Sequence, residues 1–207
     1  MKPDLTLAVE HLQAGGLLAY PTETVYGLGG PCTPEAVDAV RRLKGRAEGK
    51  PLLALVPSAD GASGLVWTDE ARELAGLFWP GSVTLVLDDP QGTFPAGVRS
   101  ARGTVGVRVS PHPLVAALLA GYGRPLTSTS LNAPGEAPVS SGGEARELLG
   151  RLGADGVLLL DVGTLPESAP STVVDCSGPT PVVLREGAIP TDRLRCVIPE
   201  IHGTRID

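Results

Sequence analysis

The chain has 207 residues, 42% hydrophobic and 19% charged, which suits one domain with a packed core rather than a disordered segment. Aromatic residues are only 3%, so the core is built from Leu, Val and Ala, and a platform for stacking single-stranded nucleic acid is disfavoured. The net charge of −6 excludes a global basic field that would draw the chain onto nucleic acid, leaving room only for a local basic patch.

Leu5 to Gly15 reads as a helix that stops at Gly15-Gly16, and Leu17 to Tyr20 as a buried strand. The strand runs into "YPTETVYGLGG", Tyr20 to Gly30, where hydroxyls and glycines crowd together. That composition fits a tight turn, or a loop whose hydroxyls and bare amides hold a ligand. Thr33-Pro34 is an N-cap followed by proline at the first helical position, opening a helix through about Leu43. Leu52 to Val56 is a strand, and Thr68 caps a helix that runs to Trp79 and stops at Pro80-Gly81. Val83 to Leu87 and Val105 to Val109 are strands, and Pro113 to Ala120 is a short helix. Pro125 to Ser130 is a strand that breaks at Asn132. Gly143 to Leu149 is a helix, and Val157 to Asp161, Thr172 to Cys176 and Val182 to Arg185 are strands.

This alternation predicts a single α/β domain around one mixed β-sheet, because some successive strands have no helix between them. Ser140 to Gly143 and Pro90 to Gly103 are expected to be mobile loops, and the tail after Pro190 is read as short and polar. Cys32, Cys176 and Cys196 are odd in number and far apart, so they are expected to be small buried apolar residues rather than a disulfide or zinc framework. No apolar run approaches the ~20 residues of a membrane span and no signal-type segment is evident, so the expectation is a cytoplasmic protein with no membrane partner.

Familiar catalytic sets are absent: His11, His112 and His202 are isolated, and there is neither a P-loop nor a GxGxxG after a strand. What remains is a scatter of cations and hydroxyls at strand ends. "LKGRAEGKPL" carries Lys44, Arg46 and Lys50, two of the chain's three lysines among them. "TVGVRVS" puts Thr104, Gly106 and Arg108 on one face by period two. "PLTSTSLN" does the same for Ser128, Ser130 and Asn132, "PSTVVD" offers Ser171 and Thr172, and "VLREGAI" offers Arg185. Each alone reads equally as a solvated surface residue or a turn. Arg108 is different, because it interrupts an apolar strand and must be exposed on one face or buried against an anion. Donors with no partner chemistry of their own fit an anionic substrate such as a nucleotide.

Taken in order, "YPTETVYGLG", "KGRAEGKPL", "FWPGSVTLVL", "VGVRVSPHP", "STSLNAPGEAP", "STVVD" and "VLREGAI" resemble the YrdC-like family, the threonylcarbamoyl-adenylate synthases. The likeness runs from about Gly15 to Ile189, and residues 1–207 read as one such domain of the short form, with a motif-bearing core of about 5–190. The resemblance implies an α/β fold around a twisted mixed sheet with flanking helices and a concave electropositive cavity. It also implies a nucleotidyltransferase reaction: L-threonine, bicarbonate and ATP give threonylcarbamoyl-AMP and pyrophosphate, magnesium arriving with the nucleotide and no metal held by the protein. A partner transferase would then place the threonylcarbamoyl group on the adenosine beside the anticodon of certain tRNAs, and weak double-stranded-RNA or tRNA binding is a further expectation.

Residue by residue, the resemblance places Thr24, Arg108, Ser128 and Ser171 at L-threonine. It places Arg46, Lys50, Thr104, Ser130 and Arg185 at ATP, and Lys44, Arg46, Ser130 and Asn132 in the catalytic set. This sequence departs from the family pattern at Lys50, where many relatives have Asn, at Pro170, where Glu is common, and at Glu186, where Pro is common. Two rivals stand beside this reading. One is a non-catalytic double-stranded-RNA-binding translation or ribosome factor, against which the net charge of −6 weighs. The other is a carbamoyl-adenylate step in hydrogenase maturation, whose proteins carry zinc-finger and acylphosphatase modules that this sequence does not show.

Overall fold

The structure is a computed structural model that describes residues 3–45 and 49–203. Its centre is a nine-stranded mixed sheet of β1 (Leu17–Pro21), β2 (Tyr26–Gly29), β3 (Leu53–Leu55), β4 (Val83–Asp88), β5 (Thr104–Arg108), β6 (Leu126–Ser130), β7 (Val157–Leu159), β8 (Thr172–Asp175) and β9 (Val182–Arg185), in the order β7-β1-β2-β6-β3-β5-β4-β8-β9. The β1/β7, β3/β5 and β4/β8 pairs are parallel and the rest antiparallel, as the missing crossover helices predict.

The helices are α1 (Leu5–Gln13), α2 (Pro34–Lys44), α3 (Asp69–Phe78), α4 (Pro113–Tyr122), α5 (Gly142–Arg151) and α6 (Thr191–Arg195). The Thr33 and Thr68 hydroxyls accept from the N–H groups of Ala36 and Ala71, so both expected N-caps hold.

Strand alternation divides the core in two. Leu17 and Ala19 pack into a large cluster with α2, α3 and α5, whereas Leu18 and Tyr20 pack into a smaller one with α1 and α4. The helices α1 and α4 therefore cover one end of their face of the sheet. The strand β6 shows the consequence: Leu126 lies beneath those helices, and Ser128 and Ser130, on the same face, extend past their cover.

Several expectations are corrected. The first three residues of "GLGG" belong to a strand, β2, not to a loop; a Cβ at Gly29 would lie 1.7 Å from the Thr127 carbonyl, so glycine there permits close approach to β6. Ser140 to Gly143 is an ordered helix start, because Ser141 and Glu144 form a reciprocal capping box. The stretch from Pro90 to Gly103 is a loop, as expected, and the buried Asp89 carboxylate accepts from its Thr93 and Phe94 amides. After Pro190 the chain forms α6 and buries Leu194, Ile198 and Ile201, so this segment completes the core. Of the cysteines, Cys176 is buried, Cys32 half-buried and Cys196 exposed.

Candidate functional site

The uncovered part of the sheet face is the floor of a cavity of about 510 Å3. Alternate residues of neighbouring strands point into it: Ser128 and Ser130 from β6, Thr104, Gly106 and Arg108 from β5, Thr84 and Val86 from β4, and Val173 and Asp175 from β8, with Ser171 just before. Thr22 and Thr24 approach from the β1–β2 connection, and Arg185 from the end of β9. Thr24, Thr104, Arg108, Ser128, Ser130, Ser171 and Arg185, distant in sequence, thus line one cavity. Sequence reasoning put most of them at strand ends, and Thr104, Arg108, Ser130 and Arg185 are terminal residues of β5, β6 and β9, while Ser128 lies within β6.

Arg108 is the least ordinary member. It is 4% exposed, its Nη1 lies 3.2 Å from the Glu23 carboxylate, and its buried Nε has no hydrogen-bond partner among the described residues. A guanidinium offers two forks for a carboxylate, Nη1/Nη2 at its end and Nε/Nη2 along its side. With Glu23 at Nη1, the side fork is the one left with an unused donor. Glu23 is itself held: the Ser110 hydroxyl donates to it at 2.6 Å and the Ser82 hydroxyl at 3.4 Å.

Around this centre the hydroxyls are ordered in pairs. Thr22 Oγ1 donates to the Val25 carbonyl at 2.7 Å and accepts from the Thr24 and Val25 amides, which fixes the short turn that presents Thr24. Thr84 and Ser171 share a hydrogen bond at 2.9 Å, as do Ser100 and Thr104 at 2.8 Å. Arg185 Nη2 donates to the Ser171 carbonyl at 2.7 Å. Partial withdrawal of this guanidinium from water, and then the charge of Arg108, lower its pKa from the ordinary arginine value. Among the described residues, three arginines, Arg102, Arg108 and Arg185, and one carboxylate, Asp175, are the charged groups of the lining.

Lys44 and Asn132 stand beside the cavity as a brace. Lys44 Nζ donates to the Ser130 carbonyl at 2.6 Å and to Asn132 Oδ1 at 2.5 Å, and the Ser130 hydroxyl donates to that same oxygen at 2.7 Å. Lys50 is exposed next to Pro51, which joins the lining. Arg46 lies outside the described residues. His112 caps α4, its Nδ1 accepting from the Leu114 amide, and burial lowers its pKa. Among the described residues no group of three His, Cys, Asp or Glu could hold a metal ion, and no helix is long and apolar enough to cross a membrane.

Sequence reasoning missed Glu23, Ser110, Thr84 and Arg102. A signal for Glu23 was present, since a carboxylate between two threonines after a buried strand has to find a donor. That its partner lies on β5 depends on sheet order, which spacing does not encode.

The domain model named for Sua5, YciO and YrdC, and described as "Telomere recombination", matches residues 10–187. The chain belongs to this family. The threonylcarbamoyl-AMP synthase of Bacillus subtilis is 32% identical over 204 residues, which are 97% of this chain and 58% of that one. The crystal structure of Pyrococcus abyssi Sua5 complexed with L-threonine superposes with a TM-score of 0.89 at 32% identity, covering 96% of this chain and 58% of that one. Escherichia coli YciO gives a TM-score of 0.80 at 29% identity, covering 94% of this chain and 97% of its own. The present chain therefore spans less than two thirds of the length of the first two relatives and nearly the whole of the third.

Proposed function

We infer that the chain is an enzyme that joins L-threonine, bicarbonate and ATP into threonylcarbamoyl-AMP, releasing pyrophosphate, as a nucleotidyltransferase supplying tRNA modification. The observation that carries this reading is Arg108: a buried guanidinium with an unpartnered donor on the floor of a hydroxyl-lined cavity. The L-threonine complex of the Pyrococcus abyssi relative supports an amino acid as one ligand, and the name of the Bacillus subtilis relative supports the adenylate as product.

In this reading the side fork of Arg108 takes the threonine carboxylate, and Thr24, Ser128 and Ser171 surround the rest of the amino acid. Thr104, Ser130 and Arg185 hold the nucleotide, with Arg46 and Lys50 on its phosphate side. The threonine amine adds to bicarbonate-derived carbon dioxide and loses a proton to give a carbamate. A carbamate oxygen then attacks the α-phosphorus, and the bond to the β-phosphate oxygen breaks as pyrophosphate leaves with its electron pair. Most of the work is alignment of two anions and stabilisation of the leaving charge. Lys44 contributes by bracing the Ser130–Asn132 segment and by adding positive charge beside it. Magnesium enters with ATP as part of the substrate. The adenylate then passes to a separate threonylcarbamoyl transferase acting on tRNA.

The test is mass spectrometry of the product formed from ATP, bicarbonate and isotopically labelled threonine. The expected result is a labelled threonylcarbamoyl-AMP that requires all three substrates, with tRNA left unmodified in the absence of a partner protein. Pyrophosphate release at full rate without threonine and bicarbonate would refute the reading.

A further inference from the structure

Glycines in and near the cavity are of two different kinds. A Cβ at Gly29 would lie 1.7 Å from the Thr127 carbonyl oxygen, and one at Gly187 would lie 2.1 Å from the Pro170 carbonyl oxygen. At those positions neighbouring backbone leaves no space, and glycine is a requirement of the fold. Gly106 is not of this kind. It sits in the middle of β5 outside the positive-φ region, paired with Val86 of β4. A Cβ there would meet Thr84 Cγ2 at 3.5 Å, Leu53 Cβ at 3.8 Å and Val86 Cγ2 at 4.0 Å, all ordinary contacts. Mid-strand glycine packs nothing and loses the most backbone freedom on folding, so β5 would accept and even gain from a side chain at this point.

What the missing side chain leaves is space in the floor. Gly106 lies between Thr104 and Arg108 on the cavity face, with Leu53 and Val86 to either side, and all five line the cavity. The result is a flat apolar patch between two polar ends. With neither backbone geometry nor a close protein neighbour to explain it, glycine in such a place marks close approach of a ligand.

The proposed reaction, on which this inference rests, says which part of the ligand. Five covalent bonds separate the threonine carboxylate carbon from the α-phosphorus of the product, an extended reach of about 6 Å. Alternate residues of a strand are about 6.6 Å apart. The reach of the product thus matches one two-residue step of β5, and with the carboxylate at the Arg108 guanidinium and the nucleotide toward Thr104, Gly106 is the position between them on that face that carries no side chain.

We propose that Gly106 determines whether the two substrates can meet: the bond joining the amino-acid half to the α-phosphate forms in van der Waals contact with its bare Cα. A methyl group there leaves room for either substrate alone and obstructs their union.

The experiment compares the full-length wild-type chain with Gly106→Ala and Gly106→Ser. Thermal unfolding, calorimetric binding of L-threonine alone and of ATP alone, and the rate of adenylate formation are measured for each. The expected result for both variants is an unchanged or higher Tm, single-substrate Kd values within threefold of wild type, and kcat lowered at least tenfold. A fall in Tm for Gly106→Ala would make the glycine a requirement of the fold and overturn the inference. So would kcat within twofold of wild type, or loss of one substrate's binding in step with kcat, which would assign Gly106 to that substrate's pocket. A wild-type chain that forms no adenylate refutes the proposed reaction itself, and the placement of its new bond over Gly106 falls with it. An active wild type with an equally active Gly106→Ala refutes only the role of Gly106.

Discussion

Replacing Glu23 by Gln removes the counter-charge of a buried arginine while keeping the side chain's shape. In the Glu23–Arg108 pair the side chains are 15% and 5% exposed, so the remaining guanidinium would be left charged, nearly dry and short of acceptors. Removing one partner of a fully buried ion pair costs about 3–5 kcal/mol. The cavity beside Arg108 admits water, and the Gln carbonyl still accepts from the Ser110 hydroxyl, so a loss of about 2–3 kcal/mol is expected here. With a urea m-value of about 3 kcal/mol/M for a chain of this size, the unfolding midpoint should fall by about 0.7–1 M. The assay is urea unfolding followed by far-UV circular dichroism. The companion variant Arg108→Met removes the other charge, and the double variant Glu23→Gln/Arg108→Met should be less destabilised than the two singles added together. A midpoint shift below about 0.2 M for Glu23→Gln, or strict additivity in the cycle, would show that the two charges are solvated independently and would refute the reasoning.

Other consequences follow from the same geometry. Arg108→Lys keeps the charge but loses the planar fork, so the KM for threonine should rise roughly tenfold or more in adenylate formation while the KM for ATP stays within about threefold. Lys44→Met removes two charge-assisted hydrogen bonds, each of a kind worth about 1.5–3 kcal/mol, and should lower both Tm and kcat; an unchanged Tm would remove Lys44 from the brace around Ser130 and Asn132. Burial pushes the Cys32 and Cys176 thiols up to about 12, so iodoacetamide at pH 8 should label only Cys196 in the native protein and all three cysteines in urea, as read by peptide mass spectrometry. The Ser140 amide, with the Ser141 hydroxyl and amide, holds the Glu144 carboxyl below its ordinary 4.5. Its contribution is therefore complete above that value and lost as pH falls below it through the lowered pKa of the folded state, and Glu144→Gln should flatten the fall of Tm on acidification below 4.5.

The order of helices and strands was legible because caps and stops are local chemistry: Thr33-Pro34, Thr68 and Pro80-Gly81 mark boundaries the structure keeps. The strand β2 was missed because its glycines read as turn residues until β6 is known to pass beside Gly29. The core role of the last segment was missed for a similar reason, since Leu194, Ile198 and Ile201 are too sparse to show a period and gain meaning only from the surface they cover. At the site, the hydroxyl and arginine positions stood out by composition, and the sheet gathers most of them. Their alignment across β6, β5, β4 and β8 is a matter of register between distant strands, which local pattern cannot report. The Glu23–Arg108 contact and the vacancy over Gly106 belong to that same class of fact.

The arrangement also explains how an acidic chain can hold anions. The charge that matters is local: Arg108 and Arg185 lie near enough that the first helps lower the pKa of the second, so their proximity is unfavourable in the empty site. Glu23 offsets part of that repulsion from one side, and its hold by Ser110 and Ser82 keeps it from following Arg108 into the cavity. The remaining field is aimed at the open face of the sheet, where the hydroxyls of Thr24, Ser128 and Ser171 can turn either lone pairs or protons toward a ligand. An anion entering there relieves repulsion already built into the fold, and the donors meeting it need little rearrangement. In the proposed reading, net charge over the whole chain is a poor guide to the ligand, and a single arginine interrupting an apolar strand is a better one.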